Sequence, residues 1–382
     1  MEQMFDESRN IRPDQHSFNH AIVAWTRSGA ENTAENIKHL LDKMTSRYVS
    51  YLDTGAFETA LHGLSHNTNG DRDMAKELVE ELIALSKTNE SVSLSSICLN
   101  LALKAECQEA NRNQREMPAF GAHNLLYKYV NMHKHGEIDL LPSKIGFNTV
   151  ISSWAQTPHN EAIHKAEEIV KTMNHLSRRK DLQYVKPDLY TYSNMLRVYA
   201  NSRNRMAPQK AEKLVQKLEN DKIRLDTYVY NGVLNVCART IDPNKAVHAR
   251  NWLDKMIKLK KIDKLSYNLV LKACSQTRGS DEQQKVALDI ALKTYKEALT
   301  SKKAQPDFIT FASVTKAVHF LCSNREERKK HLKQIFEECC HRGMLGDLVI
   351  KEMNQAIPKG DRVSYIGHDL QSPFEKQWTA NL

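Results

Sequence analysis

Asparagine or serine follows an aromatic residue directly at five places in the chain, and these polar side chains are the first candidates for chemistry. They are Asn19, Asn148, Ser193, Asn231 and Asn268. An amide can both donate and accept hydrogen bonds. Asn and Ser are also common in the first turn of a helix, but that preference does not explain their constant phase relative to the aromatic residue. The pattern therefore indicates a role beyond helix capping.

Aspartate lies just ahead of several predicted helices, as at Asp14, Asp188, Asp226 and Asp307. Asp is a common N-cap because its carboxylate accepts hydrogen bonds from the free backbone N–H groups of the first turn. Helix capping alone therefore explains part of this acidic column.

The sequence contains no signature of a catalytic site. It has no Gly-rich phosphate loop, no HExxH helix and no GxSxG elbow. His16 and His20 share a helix face, but a metal site needs a third ligand. The residues predict no enzyme, no metal and no cofactor.

The polar residues lie in a sequence pattern that repeats. The segment from Lys186 to Met256 contains two similar copies, each with an Asp followed four residues later by Tyr192 or Tyr230. Each copy continues into an apolar helix, a polar turn and a second helix. A period of roughly 35 to 40 residues built from two helices is typical of an α-solenoid. We predict an all-α fold, a right-handed α-solenoid of helix-turn-helix repeats.

Alignment to these two copies divides the chain into about eight repeats. The predicted repeats are 15–53, 54–90, 91–143, 144–188, 189–226, 227–263, 264–307 and 308–346. Residues 1–14 are predicted to be the end of a preceding repeat or an N-terminal extension, 347–357 a capping helix and 358–382 a C-terminal tail. The third repeat is the weakest, since it has Leu94 in the aromatic position and carries a polar insert.

Large apolar residues recur in the first helices, and we predict that this anchor column packs in the core. The column comprises Phe18, Phe57, Leu94, Phe147, Tyr192, Tyr230, Tyr267 and Phe311. In the second helices an alanine is followed at three, four and seven residues by apolar side chains, as at Ala75, Ala166 and Ala211. This is one stripe of an amphipathic helix, with alanine where two helices approach closely.

Composition sets limits on the class of protein. The 55 Lys and Arg exceed the 46 Asp and Glu, and the net charge of +9 suits a polyanionic partner or an ordinary basic surface. No run approaches the roughly 18 apolar residues that predict a membrane span, so no membrane partner is predicted. The seven cysteines include no CxxC pair, which argues against a disulfide framework or zinc site and indicates a reducing compartment.

Several segments resemble the pentatricopeptide repeat family. They are PDLYTYSNMLRVYA, DTYVYNGVLNVCAR, SKIGFNTVISSWAQ and PDFITFASVTKAV, each followed by a helix that begins with alanine. The resemblance covers residues 12–350, although the repeats are longer than is usual in that family. It implies that the protein binds single-stranded RNA on its concave face, with one base for each repeat.

The resemblance assigns base selectivity to the polar residue after the aromatic one and to the last residue of the repeat. The implied pairs are Asn19 with Asp53, Asn148 with Asp188, Ser193 with Asp226, Asn231 with Asp263, and Asn268 with Asp307. Asn with Asp is expected to favour uracil and Ser with Asp guanine, so the repeats would read U-n-n-U-G-U-U. The side chains expected to stack on the bases are Ile145, Tyr190, Tyr228 and Leu265.

The resemblance further implies a role in the processing, stabilisation or translation of transcripts in a mitochondrion or plastid, with protein partners in RNA processing. The acidic N-terminus, with Glu2, Asp6 and Glu7, is unlike a transit peptide, so a cytoplasmic protein or a truncated gene model stays open. The alternative function is a protein-binding helical scaffold of the tetratricopeptide type, without RNA contact. Such a scaffold would have an apolar or carboxylate-binding concave face, whereas an RNA-binding face would be basic.

Overall fold

The computed structural model of the protein describes residues 13–30, 32–48, 52–66, 72–108, 118–157, 159–202, 204–371 and 374–381. The described residues form helices, turns and loops, and no strand occurs among them. Two predicted features fall largely outside these ranges: the N-terminal segment up to residue 12 and the polar insert at residues 109–117.

The chain forms two compact units, residues 1–198 and residues 199–382. The helices of the first unit are α1 (Gln15–Ser28), α2 (Thr33–Arg47), α3 (Thr54–Leu64), α4 (Arg72–Leu85), α5 (Ser96–Glu106), α6 (Pro118–Lys134), α7 (Lys144–Gln156) and α8 (Ala162–Leu176). A 3₁₀ turn follows at Lys180–Val185, and the boundary between the units falls within α9 (Leu189–Asn201).

The second unit continues the same alternation of first and second helices. Its helices are α10 (Ala207–Asn220), α11 (Thr227–Arg239), α12 (Lys245–Lys258), α13 (Lys264–Ser275), α14 (Asp281–Thr300), α15 (Phe308–Leu321), α16 (Arg325–His341), α17 (Asp347–Ala356) and α18 (Arg362–Ile366). A 3₁₀ turn at Lys376–Thr379 ends the described chain.

An acidic or hydroxyl side chain caps the start of most first helices. The carboxylates of Asp53, Asp226 and Asp307 accept a hydrogen bond from the backbone N–H three residues later, at 2.9 to 3.0 Å. Ser95 and Ser143 cap α5 and α7 through their hydroxyl oxygens. Such a cap stabilises a helix by about 1 kcal/mol relative to alanine, which explains why these helices begin where they do.

Within each unit a first helix packs against its own second helix and against the first helix of the next repeat. In the first unit α3 packs on α1, α4 and α5. In the second unit α13 packs on α11, α14 and α15. Contacts between successive repeats are what hold an α-solenoid together, because no repeat buries its apolar face alone. The predicted all-α fold of helix-turn-helix repeats is confirmed.

The anchor column is buried four residues after each cap, as far as the structure describes the first helices. Phe57, Phe147 and Phe311 are completely buried. The alanines at 75, 166 and 211 are equally buried in the second helices. One assignment was wrong: α5 begins at Ser96, so Leu99, which is fully buried, is the anchor of the third repeat and Leu94 lies in the loop before the helix.

The C-terminal segment folds back onto α16. The backbone N–H of Leu345 donates to the carbonyl of Trp378 at 2.8 Å, and Asn381 donates to the carbonyl of Gly343 at 2.9 Å. Gly343 has a φ of 65°, and a Cβ there would meet the Gln377 carbonyl at 2.9 Å. A glycine is therefore required at this close approach. The segment also packs against α16 itself, where Trp378 contacts Phe336.

Candidate nucleic-acid interface

A large apolar side chain stands exposed two residues after the cap of most first helices. In the first unit these residues are Ile97, Ile145 and Tyr190, and in the second they are Tyr228, Leu265, Ile309 and Leu348. They are 37% to 65% exposed, although most large apolar side chains of these helices are buried. Exposed apolar groups at a constant phase are typical of a binding surface rather than of a core.

Sequence reasoning found part of this exposed column and missed the rest. Ile145, Tyr190, Tyr228 and Leu265 were expected here, and their exposure is compatible with stacking on a partner. Ile97 was missed because the third repeat was placed five residues too early. Ile309 was missed because alanine, rather than a polar residue, follows Phe311 in its repeat. Every residue of the exposed column lies two positions after the N-cap residue of its helix, so this spacing could have identified the whole column.

In the sixth repeat the predicted pair is joined directly. The side-chain nitrogen of Asn231 donates to both carboxylate oxygens of Asp263, at 3.1 Å each. The Asn231 carbonyl in turn accepts from the Ser266 hydroxyl at 2.7 Å. Asp263 also caps α13 by accepting from the Ser266 N–H at 2.9 Å. The same carboxylate therefore both starts a helix and fixes the orientation of Asn231, which is only 4% exposed.

The seventh repeat has the same arrangement with one difference. Asn268 donates to a single oxygen of Asp307 at 3.0 Å and accepts from the Thr310 hydroxyl at 2.6 Å. The ammonium of Lys264 lies 3.8 Å from the other oxygen of Asp307. Asn, Asp and a hydroxyl residue thus form a three-member network that links one repeat to the next.

Three predicted residues of the fourth repeat and one of the fifth surround one cavity. Ile145, Asn148, Asp188 and Tyr190 all line a space of about 400 Å³. Lys144 lies within 3.0 Å of the second oxygen of Asp188. Asn148 is 4% exposed, yet no described residue donates a hydrogen bond to its carbonyl oxygen. A buried polar atom of this kind is costly unless a water or a ligand satisfies it.

Lys144 also favours the ionised form of Asp188 in this cavity. Burial opposes the charge of Asp188, but the Lys144 ammonium and the Thr191 N–H and hydroxyl outweigh it, so the pKa of Asp188 lies below its ordinary value. A carboxylate held by a cation and a backbone donor stays ionised at neutral pH. The cavity therefore presents an anionic acceptor beside a cation and an unpaired amide.

In the first repeat, no hydrogen bond is seen between the described side chains of the predicted pair, and the two residues of the fifth pair lie in different units. Asp53 caps α3 and accepts a hydrogen bond from Gln15. The Asn19 carbonyl is buried, and no described group donates to it. The Ser193 hydroxyl donates to the Leu189 carbonyl at 2.8 Å within its own helix. Asp226 caps α11 in the second unit, so the pairing of Ser193 with Asp226 stays a prediction.

The structure adds a polar pair in the third repeat that sequence reasoning missed. Asn100 occupies the place of the polar residue, one position after Leu99. Its amide donates to the Ser143 hydroxyl at 2.8 Å, and its carbonyl accepts from the Ser143 N–H at 3.1 Å. In the second repeat Glu58 accepts from Ser95 at 2.7 Å. The second repeat therefore extends to Ser95 rather than to Glu90.

One arginine and two histidines line a second cavity in the first unit. Arg27, His62 and His66 line a space of about 520 Å³, and Ile97 borders it. The Lys104 ammonium lies 2.7 Å from the His66 ring nitrogen. Burial, together with the neighbouring His66 and Lys104, lowers the pKa of His62. Glu58 also lines this cavity, so one guanidinium and one carboxylate lie there beside the two histidines.

The described residues contain neither a cluster of possible metal ligands nor a membrane-spanning helix. No group of three His, Cys, Asp or Glu side chains among them could hold a metal ion. No described helix is long and apolar enough to cross a membrane. The polar side chains of the first helices, and the exposed apolar column beside them, are therefore the features of the described chain that point to a ligand.

Fold and site together define an all-α repeat protein whose first helices carry a network of Asn, Asp and hydroxyl residues beside an exposed apolar column. No protein-family model matches the chain, and no curated protein matches it.

Similar solved structures are pentatricopeptide repeat structures. They include the pentatricopeptide repeat protein PPR10 in complex with an 18-nt psaJ RNA element, in two forms, each 17% identical over 93% of this chain and 58% of that chain, with a TM-score of 0.39. Another is PPR10 from maize, which is 15% identical over 94% of this chain and 60% of that chain, with a TM-score of 0.30. The chain spans about three-fifths of the length of these solved chains.

Proposed function

We propose that the protein is a pentatricopeptide-type repeat protein that binds single-stranded RNA selectively and takes part in the processing, stabilisation or translation of organellar transcripts. One observation carries the proposal, namely the cavity of about 400 Å³ that Ile145, Asn148, Asp188 and Tyr190 share. The resemblance pairs Asn148 with Asp188 and implies that Ile145 and Tyr190 stack on bases, and all four residues line this cavity.

The chemistry of this cavity suits a nucleotide base. A base that enters it would lie between the exposed side chains of Ile145 and Tyr190, each at least 60% exposed. Stacking on such side chains contributes about 1 to 3 kcal/mol per base. The Asn148 carbonyl would accept a hydrogen bond from the polar edge of the base, which removes the cost of leaving that oxygen unpaired.

The order of the pairs leads to a proposed target. Repeats with Asn and Asp are the first, fourth, sixth and seventh, and the fifth has Ser with Asp. The second and third repeats have Glu58 with Ser95 and Asn100 with Ser143, and we leave their bases unspecified. The proposed target is U-n-n-U-G-U-U. The net charge of +9 supports attraction to phosphates, which makes the expected affinity fall as salt rises.

Selection from a random pool of single-stranded RNA at moderate salt tests the proposal. We expect enrichment of sequences that contain U-n-n-U-G-U-U. Ile145→Ala should weaken binding of the enriched RNA by about tenfold, because it removes one stacking side chain. Ile241→Ala is the matched control, since Ile241 is similarly exposed but lies outside the exposed column.

Two results would count against RNA binding. Recovery of no RNA above background would favour a protein-binding scaffold instead. Equal loss of affinity in Ile145→Ala and Ile241→Ala would mean that the exposed column does not contact RNA.

A further inference from the structure

The first residue of the first helix differs among the four repeats that pair an Asn with an Asp, and in the first repeat it is Gln15, whose side-chain amide donates to Asp53. The first residue is Lys144 in the fourth repeat, Thr227 in the sixth and Lys264 in the seventh. The fourth, sixth and seventh repeats form a graded series. The nearer the lysine ammonium lies to the carboxylate, the fewer hydrogen bonds the Asn makes with it.

The distances describe this series. In the sixth repeat, which has threonine, Asn231 bonds both oxygens of Asp263 at 3.1 Å. In the seventh, with a lysine at 3.8 Å, Asn268 bonds one oxygen at 3.0 Å. In the fourth, with Lys144 at 3.0 Å, no hydrogen bond joins the described side chains of Asn148 and Asp188.

Competition for the carboxylate explains the series. An ammonium and an amide both donate to the same acceptor, and the charge-assisted bond is the stronger of the two. Thr191 donates its N–H and its hydroxyl to one oxygen of Asp188, at 3.0 and 3.2 Å, and the Lys144 ammonium lies 3.0 Å from the other. Asn148 therefore lacks hydrogen bonds like those that Asn231 makes with Asp263 and Ser266.

The consequence is a difference in orientation. Asn231 donates to Asp263 and accepts from Ser266, so its amide can lie only one way round. An amide without such partners can turn by half a rotation and exchange its donor and its acceptor. Uracil and cytosine differ in just this exchange, because uracil has a carbonyl acceptor where cytosine has an amino donor.

We propose that Lys144 is a specificity-determining residue that frees Asn148, so that the fourth repeat accepts either pyrimidine, whereas the sixth repeat discriminates uracil from cytosine. This inference rests on the proposed RNA-binding function. The inference assigns the discrimination between uracil and cytosine to the first residue of the first helix, where a lysine contacts the paired Asp rather than the base. Lys264, at its longer distance, gives the seventh repeat an intermediate discrimination.

Three variants test the inference with RNAs that carry U or C opposite a single repeat. The wild-type protein should bind the U and C forms within about threefold opposite the fourth repeat, and differ by tenfold or more opposite the sixth. Lys144→Thr, which copies the sixth repeat, should raise the U-to-C ratio of the fourth repeat to about tenfold. Thr227→Lys should lower the ratio of the sixth repeat, and Lys144→Arg, which keeps the cation, should leave the fourth unchanged.

A measurement without RNA tests the role of Lys144 separately from the proposed RNA binding. With ¹⁵N-labelled asparagine, hydrogen exchange of the Asn148 side-chain amide should slow in Lys144→Thr, because the amide gains the Asp188 acceptor. If wild-type protein binds no RNA, the proposed function is overturned, and the specificity claim with it. If RNA binds normally but the U-to-C ratio and the Asn148 exchange are unchanged in Lys144→Thr, this inference alone is overturned.

Discussion

At the scale of single residues, one carboxylate both caps a helix and orients a candidate recognition residue. Asp263 caps α13 and also accepts two hydrogen bonds from Asn231, so the two interpretations of the acidic column are compatible. The resemblance paired these residues, but the sequence did not show that the capping carboxylate is also hydrogen-bonded to an amide 32 positions away. The hydrogen bond between Asn231 and Asp263 depends on how closely consecutive first helices pack.

The asparagines of the sixth and fourth repeats should respond differently to substitution. Asn231→Ser removes bonds to Asp263 and Ser266 inside a buried network, so we expect a loss of about 1 to 3 kcal/mol in the free energy of unfolding. Asn148→Ser removes a side chain whose carbonyl no described group satisfies, so a loss below about 0.5 kcal/mol is expected. Both should shift the base preference of their repeat toward guanine.

Denaturant unfolding of the two variants beside wild type checks this prediction. If both variants lose the same stability, the Asn231 network does not stabilise the fold. If neither changes its base preference, the asparagines do not face RNA.

At the scale of helices and repeats, the sequence predicts the core better than it predicts where a helix begins. The buried anchors were found because an aromatic residue recurs at one phase, and the burial of Phe57 and Phe147 follows that phase. The start of α5 was misplaced because the segment SVSLSS offers several serines that could each cap a helix. In the structure α5 begins at Ser96, and Leu99 and Leu103 are both buried.

The revised register of the third repeat can be tested through Asn100. Asn100→Ala removes both hydrogen bonds to Ser143, the cap of α7, so we expect the free energy of unfolding to fall by about 1 to 2 kcal/mol. Asn124→Ala is the control, since Asn124 is exposed on α6 and should change stability by less than about 0.5 kcal/mol. Thermal unfolding of the two variants distinguishes them. Equal midpoints would mean that Asn100 does not tie α5 to α7.

At the scale of the whole molecule, each compact unit contains repeats with a complete set of candidate site residues. The fourth repeat lies in the first unit, and the sixth and seventh lie in the second. Composition and repeat pattern were enough to predict the all-α fold, because helix pairs with apolar anchors must stack to bury them. The folded-back C-terminal segment was not predicted, since it is held by backbone bonds to Gly343 and Leu345 and by the contact of Trp378 with Phe336 of α16, which no repeat pattern marks.

Direct titration of RNA is the measurement that tests the central claim most directly. A single-stranded RNA with U-n-n-U-G-U-U, a scrambled RNA of equal composition and a duplex of the first should be titrated with the full chain at two salt concentrations. We expect the target to bind at least about tenfold more tightly than the scrambled RNA, since each direct base contact contributes about 1 to 3 kcal/mol. It should also bind more tightly than the duplex, with affinity falling as salt rises. Equal affinity for the target and the scrambled RNA would contradict selective reading of bases by these repeats.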